Sequence, residues 1–66
     1  MIQLSRLNNE KFMVNSDQIE FVEETPDTVI SLISGRKIVV GESSDEVRRK
    51  VIEYKREIFG VIRGKN

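Results

Sequence analysis

Cysteine, histidine and tryptophan are all absent from this 66-residue chain, and proline occurs only once. Without cysteine the chain can form no disulfide bond. Zinc and most transition-metal sites use imidazole or thiolate ligands, so a metal site here could rest only on carboxylates. No carboxylate spacing resembles a calcium-binding loop. The sequence therefore predicts neither a metal site nor a cofactor.

An excess of charge of either sign is also missing, since 11 Lys and Arg balance 11 Asp and Glu. Binding to nucleic acid or anionic lipid grows with the number of phosphates neutralised, so the balance disfavours both. The longest apolar runs have three residues, as in 12–14 and 38–40, whereas a membrane span needs about 20. The amino terminus lacks the basic start and hydrophobic stretch of a signal peptide. We therefore expect a cytoplasmic protein without membrane insertion.

The chain is close to the lower size limit for autonomous folding. A domain of this length buries only roughly 60% of the surface that its unfolded chain exposes, and self-association is a common remedy. We predict a single domain over residues 1–60 and a flexible tail over 61–66.

Residues 2–40 follow a two-residue period that turn-forming residues interrupt at intervals. This pattern is typical of consecutive antiparallel strands. The turn signals are Asn8-Asn9, Asn15-Ser16-Asp17, Thr25-Pro26-Asp27 and Gly35. Five short strands fit between them, over residues 2–7, 11–14, 18–23, 28–34 and 37–40.

The last third of the chain has the period of a helix. Ser43 and Glu46 have the spacing of a capping box, and we expect about four helical turns after them, ended by Gly60. An apolar stripe follows the helical period at Val47, Val51, Tyr54 and Ile58. The predicted fold is therefore α+β, a small antiparallel β-sheet of about five short strands followed by one C-terminal amphipathic α-helix.

The register of the first hairpin is open. A two-residue loop at Asn8-Asn9 puts Leu4 beside Met13 and leaves both faces mixed. A three-residue loop would gather Ile2, Leu4, Phe12 and Val14 on one face, but we expect it to need a positive φ at Glu10.

The second hairpin carries aliphatic side chains on both faces, at residues 29–33 and 38–40. One helix can cover only one face of a small sheet, so we expect a homo-oligomer that associates through the face away from the helix. The alternative is that the outer face carries scattered exposed aliphatics, which are ordinary on protein surfaces.

No catalytic arrangement is recognisable. The chain has no histidine or cysteine, its glycines are isolated, and Glu23 and Glu24 would point to opposite faces of a strand. The basic run Arg48-Arg49-Lys50 is better interpreted as a solvated helix face, with Glu46–Lys50 and Arg49–Glu53 as i,i+4 pairs. We predict that the protein is not an enzyme.

Several segments form the pattern of a known family. They are Met1-Ile2-x-Leu4-Ser5-Arg6-Leu7-Asn8, Phe12-x-Val14-Asn15, Ile19-Glu20, Thr25-Pro26-Asp27-Thr28-Val29-Ile30, Gly35-x-Lys37-x-x-Val40-x-Glu42-Ser43 and Glu46-Val47. Over nearly its whole length the chain resembles the small FlbD/SwrD family of flagellar proteins. The resemblance implies a cytoplasmic accessory of flagellar motility and swarming that supports motor power. Its partner would be an unidentified flagellar or motor-associated protein.

One position departs from the family pattern, since Asn9 stands where relatives tend to have glycine, which makes the first turn slightly costlier. The resemblance also singles out four polar residues that neither core packing nor helix capping requires, Arg6, Asp27, Thr28 and Glu42. These are the candidate partner-binding residues. The alternative is structural: Arg6 could form an ion pair with Glu42 or Asp27, and Asp27 with Thr28 could complete the turn after Pro26.

A second resemblance leads to another function. The opening Met-Ile-x-Leu-Ser-Arg-x-x-x-Glu, the five strands and the short helix also look like the carbon storage regulator family, whose strand-swapped dimers bind messenger RNA. Arg6 would match one RNA-contacting arginine of that family. The other would fall near Ser44, where this chain has no basic residue, and Glu42, Asp45 and Glu46 there would repel phosphate. RNA binding is therefore the alternative function.

Overall fold

The computed structural model describes the backbone of residues 1–63 and the side chains of residues 1–60. Within this range the predicted α+β fold is confirmed, and the only addition is a short 3-10 turn before the third strand. The elements are β1 (Ile2–Ser5), β2 (Lys11–Val14), the 3-10 turn (Ser16–Gln18), β3 (Ile19–Glu24), β4 (Thr28–Leu32), β5 (Lys37–Val40) and α1 (Ser44–Arg63).

The five strands form two antiparallel sheets rather than one. β1 pairs with β2, and β4 lies between β3 and β5 in the second sheet. The sheets meet where β1 and β5 end, because the Gly41 N–H donates to the Ser5 carbonyl at 2.7 Å.

The first hairpin has the three-residue loop. Ile2 is opposite Val14 and Leu4 is opposite Phe12, so the apolar side chains share one face. The expectation of a positive φ at Glu10 was wrong, because Asn9 takes it, at 69°. Asparagine is among the few residues with a side chain that visit this left-handed region readily.

The hairpin between β4 and β5 has the same loop geometry. The Leu32 N–H donates to the Arg36 carbonyl, and the Gly35 N–H donates to the Leu32 carbonyl, both at 2.8 Å. Gly35 has φ 95°. At the same end of this sheet, the register between β3 and β4 shifts between Ile19 and Phe21, which leaves Glu20 as a bulge.

The helix begins with the predicted capping box. The Ser43 hydroxyl accepts from the Glu46 N–H at 3.1 Å, and the Glu46 carboxylate accepts from the Ser43 N–H at 3.1 Å. The predicted stop at Gly60 was wrong, because the helix continues to Arg63. A glycine inside a helix costs only about 1 kcal/mol, so it need not end one. The predicted flexible tail overlaps helical residues 61–63, and its remainder, 64–66, lies outside the described residues.

The core lies between the helix and the inner faces of both sheets. Its buried residues are Ile2, Leu4, Val14, Ile30, Ile38, Val40 and Val47. Val51 and Tyr54 continue the helical contact from the predicted stripe. In the described part of the chain, α1 does not cover the outer face of the three-stranded sheet, and Phe21 and Val39 are exposed there.

Candidate functional site

The structure divides the four predicted partner-binding residues between two clefts. Asp27, Thr28 and Glu42 line one cleft, which we call the acidic cleft, beside Leu7 and Glu46 at the start of the helix. Arg6 lines the other, which we call the arginine cleft, and which lies between the two sheets. The arginine cleft is formed by Arg6, Phe12, Met13, Leu32, Arg36 and Ile38, among others.

Glu42 joins the two sheets. Its carboxylate accepts a hydrogen bond from the Ser5 N–H at 2.9 Å. Partial burial is the largest influence and raises the pKa of Glu42, but hydrogen bonds from Ser5 and from its own backbone, together with the positive charge of Lys50, lower the pKa below the ordinary value. This carboxylate is therefore held ionised by the fold, and it already has a structural role.

The other two predicted residues of the acidic cleft, Thr28 and Asp27, differ in accessibility. Thr28 is 3% exposed and lies opposite Val40 in the second hairpin. Asp27 is exposed, and its carbonyl accepts from the Thr25 N–H at 3.3 Å across the turn at Pro26. Of the three predicted residues in this cleft, only Asp27 combines an exposed side chain with no side-chain hydrogen bond in the described part of the chain. Within the described residues, no cluster of carboxylates could hold a metal ion.

Glu24 also belongs to this end of the molecule, and the sequence did not predict its role. Its carboxylate accepts from the Ser44 N–H at 2.8 Å, next to the capping box. The backbone N–H of Ser44, followed by its side chain, lowers the pKa of Glu24. A carboxylate at a helix amino terminus is favoured by the helix dipole. Twenty residues separate donor and acceptor, so no local sequence pattern reveals this contact.

Among the described side chains, Arg6 forms an ion pair with neither Glu42 nor Asp27, so the structural alternative of such a pair was wrong. Its Nε lies 3.8 Å from the Glu10 carboxylate, and 40% of its side chain is exposed. The guanidinium lies over the Phe12 ring, 4.8 Å from the ring centre. The three-residue loop explains this arrangement, because it places residue 6 opposite residue 10 and brings both beside β2.

The arginine cleft has an apolar floor and two cationic side chains. Leu32 and Ile38 come from the three-stranded sheet, and Phe12 comes from the first hairpin. Arg36, which the sequence did not single out, follows the second loop and joins Arg6 there. Among the described side chains, no carboxylate forms a salt bridge with Arg36. Both arginines adjoin loops of the same geometry, and this is the signal that could have paired them.

The basic residues of the helix make contacts other than those predicted. Lys50 donates to the Gln3 carbonyl at 3.0 Å, and Lys55 lies 3.4 Å from the Asp17 carboxylate. The i,i+4 pairs predicted for Lys50 and Arg49 are not formed between described side chains. Glu46 is occupied by the capping box instead.

One comparison relates the chain to known proteins, and the other observations are negative. No described helix combines the length and the apolar character that a bilayer crossing requires. No curated protein and no solved structure matches the chain. A family model, FlbD, described as flagellar and swarming motility proteins, matches residues 1–59. That match covers nearly the whole sequence, including both hairpins and most of the helix, and the chain belongs to the FlbD family of flagellar and swarming motility proteins.

Proposed function

We propose that this protein is a non-enzymatic, cytoplasmic accessory of the flagellum that supports motility by binding a flagellar or motor-associated protein at the arginine cleft. The family match supports the association with motility. The observation that carries the docking site is the placement of Arg6 and Arg36 beside one apolar floor.

The chemistry of the cleft indicates the chemistry of its partner. Arginine and aromatic side chains are enriched among the residues that dominate binding energy at protein interfaces. Arg36 has no acidic partner among the described residues, and Arg6 has only the loose contact with the exposed Glu10. A partner segment with an acidic side chain next to an apolar one would satisfy both guanidinium groups and cover the half-buried Leu32. We therefore propose an acidic, partly apolar protein segment as the ligand.

The acidic cleft is the weaker docking candidate of the two. Thr28 is buried, and the Glu42 carboxylate is occupied by Ser5. Substituting either residue would destabilise the fold, so a loss of motility could not be assigned to a lost contact with a partner. Asp27 remains available as a secondary contact.

The test is to replace Arg36 by Ala in the chromosomal gene and to measure swimming speed, swarming and flagellar number. We expect motility to fall towards that of a deletion strain with the melting temperature nearly unchanged, because Arg36 is exposed. Arg49→Ala is the matched control, since Arg49 is an exposed arginine of the helix, and it should leave motility intact. Normal flagellar number with low speed would support a role in motor power, and lost filaments would support a role in assembly. Unchanged motility in the Arg36→Ala strain would contradict docking at this cleft.

A gel-shift measurement at moderate salt with GGA-containing hairpins distinguishes RNA binding from the proposed binding of a protein. We expect no specific binding, because Glu24, Glu42 and Glu46 lie together at the start of the helix and would repel phosphate. Tight binding that Arg6→Ala abolishes would replace the protein-docking proposal with RNA recognition.

A further inference from the structure

The outer face of the three-stranded sheet has a compact and regular set of side chains. The registers of β3, β4 and β5 place two rows of three residues across it. One row is Glu23, Val29 and Val39, and the other is Phe21, Ser31 and Lys37. We call these six residues the open face. Phe21 is 60% exposed and Val39 is 40% exposed, although both are apolar.

The charges of the open face are arranged at opposite corners. Glu23 lies on the edge strand β3 in one row, and Lys37 lies on the edge strand β5 in the other row. Phe21 and Val39 occupy the remaining two corners. The face therefore has one charged diagonal, with one carboxylate and one ammonium group, and one apolar diagonal.

We propose that the open face binds a second copy of this chain, as a two-fold symmetric dimer whose axis runs close to the apolar diagonal. Rotation by half a turn about such an axis places Glu23 of each copy against Lys37 of the other. The same rotation brings Phe21 and Val39 into contact with their own counterparts near the axis. The strands of the two sheets then cross steeply, as in orthogonal sheet packing.

A second copy fits this face because the face is complementary to itself. Each charged residue of the open face finds its opposite on an identical face, so no other partner is needed to neutralise either. Two-fold dimers with self-complementary surfaces are the commonest oligomers of soluble proteins. A two-fold axis parallel to the strands would instead place Glu23 against Val39 and Lys37 against Phe21, and would bury both charges on apolar groups.

The size of the open face sets the strength of the dimer. With strands about 4.8 Å apart and residues about 3.3 Å apart, the face covers on the order of 200–300 Å² per copy. Stable interfaces bury about 800 Å² per partner. The dimer should therefore be weak and concentration-dependent, with a dissociation constant on the order of tens to a hundred micromolar.

Charge reversal tests the proposed axis directly. Glu23→Lys alone, or Lys37→Glu alone, brings like charges together at both corners of a homodimer, and should weaken association by about tenfold or more. An equal mixture of the two variants restores opposite charges at both corners, so it should form a heterodimer. The double variant, with both substitutions, should form a homodimer again. Sedimentation equilibrium measures the average mass of the two single variants, their mixture and the double variant, against a monomer mass of 7.6 kDa.

Two controls and one further variant make each outcome decisive. Glu53→Lys carries the same charge change on an exposed position of the helix, and it should associate like the unmodified chain. Circular dichroism confirms that each variant is folded, as expected for substitutions at exposed positions. Phe21→Ser removes the apolar contact without a charge change, and it should also weaken the dimer.

A monomeric unmodified chain at several hundred micromolar would overturn the proposal. Single variants that dimerise as well as the unmodified chain would overturn it too. A mixture that stays monomeric while the unmodified chain dimerises would rule out the pairing of residues 23 and 37.

Discussion

The two hairpins of this protein share one loop geometry and differ in what their strands present. In each, a three-residue loop ends in a left-handed residue, Asn9 in the first and Gly35 in the second. The β1–β2 hairpin is apolar mainly on its inner face, whereas the sheet built on the second hairpin has apolar residues on both faces. The loop thus fixes register in both cases, and the sequence of the strands decides whether the outer face is polar or partly apolar.

The largest expected effect distinguishes the inner face from the outer face. Leu4 is fully buried, and Leu4→Ala should lower the free energy of unfolding by about 2–5 kcal/mol. That is a large share of the total stability of a small domain, roughly 3–10 kcal/mol at this length. Val39→Ala, on the open face, should cost less than about 1 kcal/mol and should weaken self-association instead.

Urea denaturation measures the free energy of unfolding of both variants. It is done at low protein concentration, because the protein is then monomeric. Met13→Ala, on the exposed outer face of the first hairpin, is the control and should stay within about 0.5 kcal/mol of the unmodified protein. Equal losses for Leu4→Ala and Val39→Ala would mean that the outer face is part of the monomer's core.

Local rules predicted a large part of this fold. The strand positions and the capping box depend on periodicity and on residues three apart, so the sequence contains them. The register of the first hairpin was left open because the left-handed position was expected at Glu10, and a shift of one loop residue reverses which side chains share a face.

Contacts between distant parts of the chain explain what the sequence did not predict. The division into two sheets depends on the meeting of Ser5 with Gly41 and Glu42. The contact of Glu24 with Ser44 likewise joins a strand end to a helix start. Of the four predicted site residues, Thr28 and Glu42 have structural roles, and the partner of Arg6 in its cleft, Arg36, is distant in sequence. Residue type identified the candidates, but only the fold distinguishes a bonded carboxylate from a free one.

An intermediate effect compares the two loops. Gly35→Ala should lower the free energy of unfolding by about 1–2 kcal/mol, because φ is 95° there. No atom lies within 4 Å of the position that its Cβ would take, so the loss would be conformational and not steric. Asn9→Gly should be tolerated to within about 0.5 kcal/mol, since relief of the left-handed backbone is offset by the greater flexibility of the unfolded chain.

Thermal melts measure these loop variants, with Ile33→Ala as the control. Ile33 begins the second loop and is 61% exposed, so its replacement should have little effect. A Gly35→Ala variant as stable as the unmodified chain would show that the second loop can take another conformation without loss.

The smallest expected effect concerns the carboxylate that links the two hairpins. Partial burial raises the pKa of Glu42, but the hydrogen bonds from Ser5 and from its own backbone, together with the charge of Lys50, outweigh it and lower the pKa below the ordinary value of 4.5. A lowered pKa in the folded state stabilises the fold above pH 4.5, and this stabilisation is lost as the pH falls through the folded value. Glu42→Gln should therefore melt at a lower temperature than the unmodified chain at pH 7, and the two melting temperatures should converge as the pH falls below about 4.5. Glu53→Gln, at an exposed helix position, should follow the unmodified chain across the same range. A constant difference between the Glu42→Gln and unmodified curves from pH 7 to pH 3 would mean that the charge of Glu42 contributes nothing to the link between the two sheets.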